Sequence, residues 1–128
     1  MGNGKELGEN TPSILLMAGF TAVIENKQRK GCERTAANYR AVLHKTAGYL
    51  GDDAAAFRLQ DVTAQWVGGF VEWLRAQHAG KPQTVDFYLR TLRAMCSHLL
   101  VLRRLRWKGG ASPFAGIRIK GAVSYTHL

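Results

Sequence analysis

The 128-residue chain is short of several things at once. It has two cysteines, three prolines and, between Arg75 and Lys120, a single acid, Asp86, against ten basic residues. Cys32 and Cys96 lie far apart and have no His or Cys near them at metal-ligand spacing, so a zinc site built on them is excluded. We read both as reduced thiols of a cytosolic protein, with one disulfide as the alternative that the sequence leaves open. Long hydrophobic runs are missing too. The stretch "ILLMAGFTAVI" is too short to span a bilayer and runs into a charged turn. The opening "MGNGKELGEN" has neither the charged nor the apolar region of a signal peptide, and Glu6 stands where a myristoylation signal needs Ser or Thr. No membrane partner is expected.

The parts of a catalytic centre are equally scarce. His44, His78, His98 and His127 share no ligand spacing, no glycine-rich phosphate loop is present, and neither cysteine has a neighbouring base. We therefore expect no cofactor, no metal and no chemistry performed by this chain alone. His98, on the side of a helix, reads as a packed core histidine.

What is present is positive charge on a globular composition. Eighteen Lys and Arg oppose nine Asp and Glu, a formal charge of +9, while 46% of residues are hydrophobic. That hydrophobic share suits one folded domain with a real core. The charge, concentrated in the C-terminal half, predicts attraction to polyanions.

Hydrophobic periodicity divides the chain into four helices. We treat residues 1–10, polar and glycine-rich, as a flexible lead, and start the first helix at Thr11 as N-cap with Pro12 behind it. Leu16, Phe20, Val23 and Ile24 keep helical spacing, and "KQRKG" ends the helix with cations and a glycine. A second helix runs from Thr35 to Leu50 and is closed by Gly51; Tyr39, Val42, Leu43, Thr46 and Leu50 form its inner face, with Arg34, Asn38 and Lys45 directed elsewhere. Asp61 or Thr63 caps a third helix with Trp66, Phe70 and Trp73 as an aromatic core row. Gly68 and Gly69 inside it are read as the close approach of a neighbouring helix.

The fourth helix begins near Thr84 and ends near Arg103. Val85, Leu89, Leu92, Cys96 and Leu99 share one side, widened by Tyr88 and Met95, while Arg90, Arg93, Ser97 and Arg104 form a narrow band a quarter turn away. Phe87, Ala94 and His98 take the remaining side, so the helix reads as packed on two faces and open along the basic band. A plain solvated face is one explanation of that band. Against it stands the shortage of acids, since a solubilising face mixes charge signs. "RRLRWK" at 103–108 is read as a basic helix terminus in preference to a phosphate site with Trp107 stacked on a base. Strand alternation appears only in the short "GIRIKGAV". The expected fold is therefore all-α, a four-helix bundle.

Four words in this order, "GCERTAANYRAVL", "DVTAQWVGGFVEWL", "TVDFYLRTLRAM" and "SPFAGIRI", resemble the N-terminal SAM-like core-binding domain of tyrosine recombinases, the phage integrase family. With Phe20 they span roughly residues 14 to 120. The resemblance implies a four-helix SAM-like bundle that binds double-stranded DNA at a recombination site, in company with other recombinase protomers. It also implies that Arg34, Thr35, Asn38, Lys45, Thr84, Arg90 and Arg93 lie at or near DNA, and the helical band adds Ser97 and Arg104. Tyr39, Trp66, Phe70, Trp73, Tyr88 and Leu92 would hold the bundle. Thr35 and Thr84 have a second role open to them as helix caps.

The family's catalytic Arg, Lys or His, and Tyr set belongs to a C-terminal domain, and the chain is expected to stop before it. Residues 11–108 are then the helical domain and 109–128 a linker. The closing "SYTHL" departs from the linker pattern and reads as a truncated frame or non-native tail, so Tyr125 is not taken for the nucleophile. The competing function is a helical protein-interaction module with a basic surface. A helix-turn-helix regulator has less support, because no short helix pair is joined by a tight glycine turn.

Overall fold

The structure, a computed structural model, describes residues 5–8 and 10–117. Its elements are β1 (Lys5–Glu6), α1 (Leu16–Arg29), α2 (Glu33–Leu50), α3 (Ala64–Gln77), α4 (Pro82–Arg103) and β2 (Leu105–Arg106). The all-α bundle is as expected, with α1 packed on α2 and α4, and α4 also meeting α2 and α3. No helix among the described residues is long and apolar enough to cross a membrane. The tail "SYTHL" and most of "GIRIKGAV" fall outside the described residues.

The core collects the periodic positions. Phe20, Val23, Val42, Phe70, Leu74, Leu92, Met95 and Cys96 are buried in one cluster. Each Val, Leu, Phe or Met among them contributes about 1.5–3 kcal/mol through burial. Both cysteines are free, and complete burial pushes the Cys96 thiol well above its ordinary pKa. On α3, Phe70 is fully buried, while Trp66 and Trp73 lie half-buried to either side, their rings stacked on it at 5.4 and 6.1 Å. Tyr49 of α2 closes on all three rings at 5.2 to 5.7 Å. A Cβ on Gly69 would lie 2.8 Å from the Tyr49 hydroxyl, so the close approach expected there is real; at Gly68 a Cβ would meet nothing.

The ends of the helices differ more from expectation than their faces. Thr63 caps α3, its Oγ1 accepting the Trp66 N–H at 3.1 Å. Asp61 instead closes the preceding 3-10 turn, accepting the Arg58 backbone N–H at 2.9 Å and its guanidinium at 2.7 Å, which holds the Asp61 carboxyl below its ordinary pKa. Gly51, at φ 62°, ends α2 as expected.

Thr11 does not start α1. Its hydroxyl is spent on a turn, donating to the Gly8 carbonyl at 2.7 Å and accepting the Gly8 N–H at 3.0 Å. Residues 12–15 are then held extended against 57–60: Leu59 N–H donates to Ile14 O at 2.7 Å and Gln60 Nε2 to Pro12 O at 2.8 Å. These long-range bonds outcompete the local Thr-Pro start, so α1 begins at Leu16.

The lead is likewise not free of structure where it is described. Lys5–Glu6 pair in parallel with Leu105–Arg106, and Leu7 is buried. Thr35 and Thr84 are not N-caps. Those positions belong to Cys32 and Lys81, neither of which makes a side-chain capping bond, so α2 and α4 each start two residues earlier than expected.

Candidate nucleic-acid interface

The helical phases of α2 and α4 bring one side of each together. Thr35, Asn38 and Tyr39 of α2 face Phe87, Arg90, Thr91 and Ala94 of α4 across an open groove of about 240 Å³. Ala94, in the α4 wall, is exposed. Of the α4 side formed by Phe87, Ala94 and His98, Phe87 packs half-buried on the core and His98 is half-buried, while exposed Ala94 leaves that side open to the groove. Three of the predicted residues, Thr35, Asn38 and Arg90, line it together.

Arg90 is 61% exposed and donates from Nε to Asp86 Oδ2 at 2.8 Å, a pair four residues apart on α4. The band is therefore not free of acids, as the charge count had implied. An exposed pair of this spacing stabilises the helix by about 0.3–0.5 kcal/mol and sets the direction of the guanidinium. Arg93 and Ser97 continue along the helix, both exposed, and Arg93 enters no ion pair among the described residues. Arg34 is exposed in the first turn of α2, outside the groove lining.

Lys45 lies two turns along α2 from Asn38, with Nζ 5.0 Å from the ring centre of Tyr88 and 5.8 Å from that of Trp73. Such cation–π contacts are worth about 0.5–1 kcal/mol at an exposed site. They hold this lysine over the Tyr88 and Trp73 rings, outside the groove lining. The ring of His78 stands 5.5 Å from that of Tyr88, and burial, Lys45 and Lys81 hold its pKa below the ordinary value. Thr84 is half-buried in the first turn of α4.

Arg104 does not belong to the band. The helix ends at Arg103, and Arg104 turns out of it at φ 56° and ψ 45°, its carbonyl accepting the Lys5 N–H at 3.2 Å. Pairing with β1 draws the chain away, so the 100° phase stops applying one residue before Arg104. "RRLRWK" thus runs from the end of α4 through the β1 pairing, with its cations exposed. Arg106 reaches Glu6 at 3.8 Å, and Trp107 packs half-buried beside Phe114, ring centres 6.4 Å apart. A larger cavity of about 470 Å³ lies between Leu7, Val62, Trp107 and Pro113, and none of the predicted DNA-facing residues lines it.

Sequence reasoning missed the neighbourhood of His98, which lies outside the groove lining. His98 is one turn beyond Ala94, half-buried, and its pKa is lowered by burial and by the charges of Lys27 and Lys30. The run "KQRKG" was legible as basic, but a helix C-terminus explained it, and its approach to α4 is a tertiary fact.

A family model described as the phage integrase SAM-like domain matches residues 15–98. The chain belongs to that family. The matched stretch contains α1, α2, α3 and α4 as far as His98, hence both walls of the groove; Arg104 and "SPFAGIRI" lie beyond it. A SAM-like domain of this kind is the non-catalytic N-terminal part of a tyrosine recombinase. No curated protein and no solved structure matches significantly.

Proposed function

We propose that this integrase SAM-like domain binds duplex DNA at a recombination site through the α2–α4 groove and the cationic band beside it. The observation that carries the reading is the meeting of Thr35 and Asn38 with Arg90 in one open groove, with exposed Arg93 and Ser97 next to it. Arg34 and Lys45 extend the positive surface along α2. A helix presented to the major groove reads sequence through a few side chains, and Asn and Arg are the types that pair with two atoms of one base edge. In this reading Asn38 and Arg90 are the base-reading pair, and Arg34, Lys45 and Arg93 neutralise phosphates, with Thr35, Thr84 and Ser97 as hydroxyl donors.

The domain positions and the parent enzyme cuts. Residues 11–108 form the DNA-binding unit, and 109–128 lead toward a C-terminal domain that supplies strand cleavage. Recombination then takes place in the cytoplasm, among several protomers on DNA. An isolated domain binds more weakly than the full recombinase, because the second domain raises effective concentration on the same duplex.

The test is a gel-shift titration over a range of salt. The double variant Arg90→Glu/Arg93→Glu is expected to weaken duplex binding at least tenfold and to flatten the salt dependence by about 0.9 in log–log slope for each phosphate no longer neutralised. Unchanged affinity and slope would remove the groove from consideration.

A second reading, docking to another protein, is favoured by one observation. The exposed large hydrophobics Leu15, Val101 and Leu102 are 45%, 73% and 42% exposed, and Leu15 and Leu102 border a groove between α1 and α4. Leu102→Glu separates the readings, since it should abolish such docking and leave duplex affinity unchanged.

A further inference from the structure

The cavity of about 470 Å³ shares no lining residue with the α2–α4 groove and is bordered by three segments distant in sequence. Leu7 and Gly8 come from the lead, positions between Arg58 and Ala64 from the approach to α3, and positions between Trp107 and Pro113 from the segment after β2. Backbone and side-chain bonds hold each of them. Leu7 N–H donates to Arg106 O at 2.8 Å, Gln60 Nε2 to Pro12 O at 2.8 Å, and Gly110 N–H to Trp107 O at 2.9 Å. The volume falls within the range of about 300–1,000 Å³ that small-molecule sites occupy.

The lining is apolar on one part and rich in donors on the other. Leu7, Val62 and Pro113 are buried and the Trp107 indole is half-buried, so the walls offer flat apolar surface. No carboxylate lines the cavity. Arg58 is already offset by Asp61 at 2.7 Å, whereas Lys108 enters no ion pair among the described residues. Gln60 is occupied at both ends, its Oε1 accepting the Ile14 N–H at 3.2 Å and its Nε2 bound to Pro12 O. Thr63 Oγ1 accepts the Trp66 N–H and Ser112 Oγ the Phe114 N–H, each at 3.1 Å, which leaves both O–H groups to donate elsewhere. The side chains of the lining thus have donors to spare and no acceptor. Ala64, in the same lining, begins α3, and the positive end of that helix dipole adds to the preference for an anion.

We infer that this cavity binds a small aromatic carboxylate, its ring against Trp107 and Pro113 and its charge satisfied by Lys108 and the two hydroxyls. A single negative charge matches the one lining cation that has no ionic partner; a doubly charged phosphate monoester would leave one charge uncompensated beside apolar walls. Binding here is independent of the DNA reading, because Thr35, Asn38 and Arg90 line a different surface. A bound acid braces the lead, the approach to α3 and the segment after β2 against one another, so occupancy raises the melting temperature.

The probes are naphthalene-2-carboxylate and its uncharged counterpart naphthalene-2-methanol, titrated into the isotope-labelled chain at constant ionic strength and followed by NMR. The carboxylate is expected to shift the Trp107 indole N–H and the amides of Thr63, Lys108 and Ser112, and to bind about tenfold more tightly than the alcohol. Lys108→Gln should remove most of that preference while leaving the alcohol's affinity in place. Ala111→Trp, at an exposed lining position, should fill the cavity and block both probes. Equal affinity for the two probes, a preference untouched by Lys108→Gln, or no shift at these residues overturns the inference. Shifts spread equally over Arg90 and Arg93 would mark unspecific pairing with cations and overturn it too. A duplex oligonucleotide that displaces the carboxylate would assign these residues to DNA and remove the small-molecule site; binding of both at once supports it.

Discussion

The aromatic row of α3 and the groove between α2 and α4 both concentrate residue types that hold nucleic acid elsewhere, yet the bundle uses them in opposite ways. On α3 the rings are turned against one another: Tyr49 fills the space beside Trp66, Phe70 and Trp73, and Gly69 makes room for its hydroxyl. Between α2 and α4 a groove stays open, and Asn38, Arg90 and Ala94 border it. Residue type alone does not say which surface is free.

The comparison breaks most severely at Phe70. Replacing this fully buried ring, Phe70→Ala, should cost about 3–5 kcal/mol in urea denaturation. Duplex affinity per folded molecule should be unchanged; a large affinity loss in the folded fraction would mean that the aromatic side takes part in binding.

On the other surface the pattern inverts. Arg90→Glu/Arg93→Glu, which should weaken duplex binding at least tenfold, should alter unfolding free energy by only about 0.5 kcal/mol, since the Arg90–Asp86 pair is exposed and Arg93 has no ionic partner among the described residues. A loss of several kcal/mol would make the groove a structural seam.

A smaller effect sharpens the assignment of helix ends. Thr63→Ala removes the acceptor of the Trp66 N–H and should lower stability by about 1 kcal/mol with no change in affinity, whereas Thr35→Ala and Thr84→Ala, which cap nothing, should cost less.

The smallest effect is one of pH. His98 and His78 both have pKa values held below the ordinary 6.5, so below 6.5 the unfolded chain takes up more protons than the folded one. Their contribution to stability is complete above that value and declines as pH falls beneath it. Thermal melts at pH 7.5 and 5.5 should show the loss in the wild type, and His98→Gln should reduce it; an unchanged difference would separate His98 from this behaviour.

Much of the bundle could be read one helix at a time. The wheel of α4 correctly assigned Val85, Leu89, Leu92 and Cys96 to the core and Arg90, Arg93 and Ser97 to the outside, because side-chain direction within a helix follows from a 100° step. Gly51 and Thr63 were legible for a similar reason, since the bonds that end or start a helix there are local. Arg104 and Thr11 were misread where a distant segment takes over the backbone: β1 captures the chain after Arg103, and residues 57–60 hold the strand before Leu16. The acid-free character of the band failed at Asp86, which a wheel places one turn before Arg90 but a charge count treats as isolated.

The sequence by itself determined four amphipathic helices, their core faces, a surplus of positive charge and the resemblance that the family match bears out. Only the tertiary structure decided that Thr35 and Asn38 share a groove with Arg90, that Lys45 rests over two rings, and that Lys27 and Lys30 act on His98. The physical reason is that a helix's periodicity fixes directions about its own axis. The spacing and rotation between axes come from packing side chains far apart in the chain, and a site made of two helices exists only once those are set.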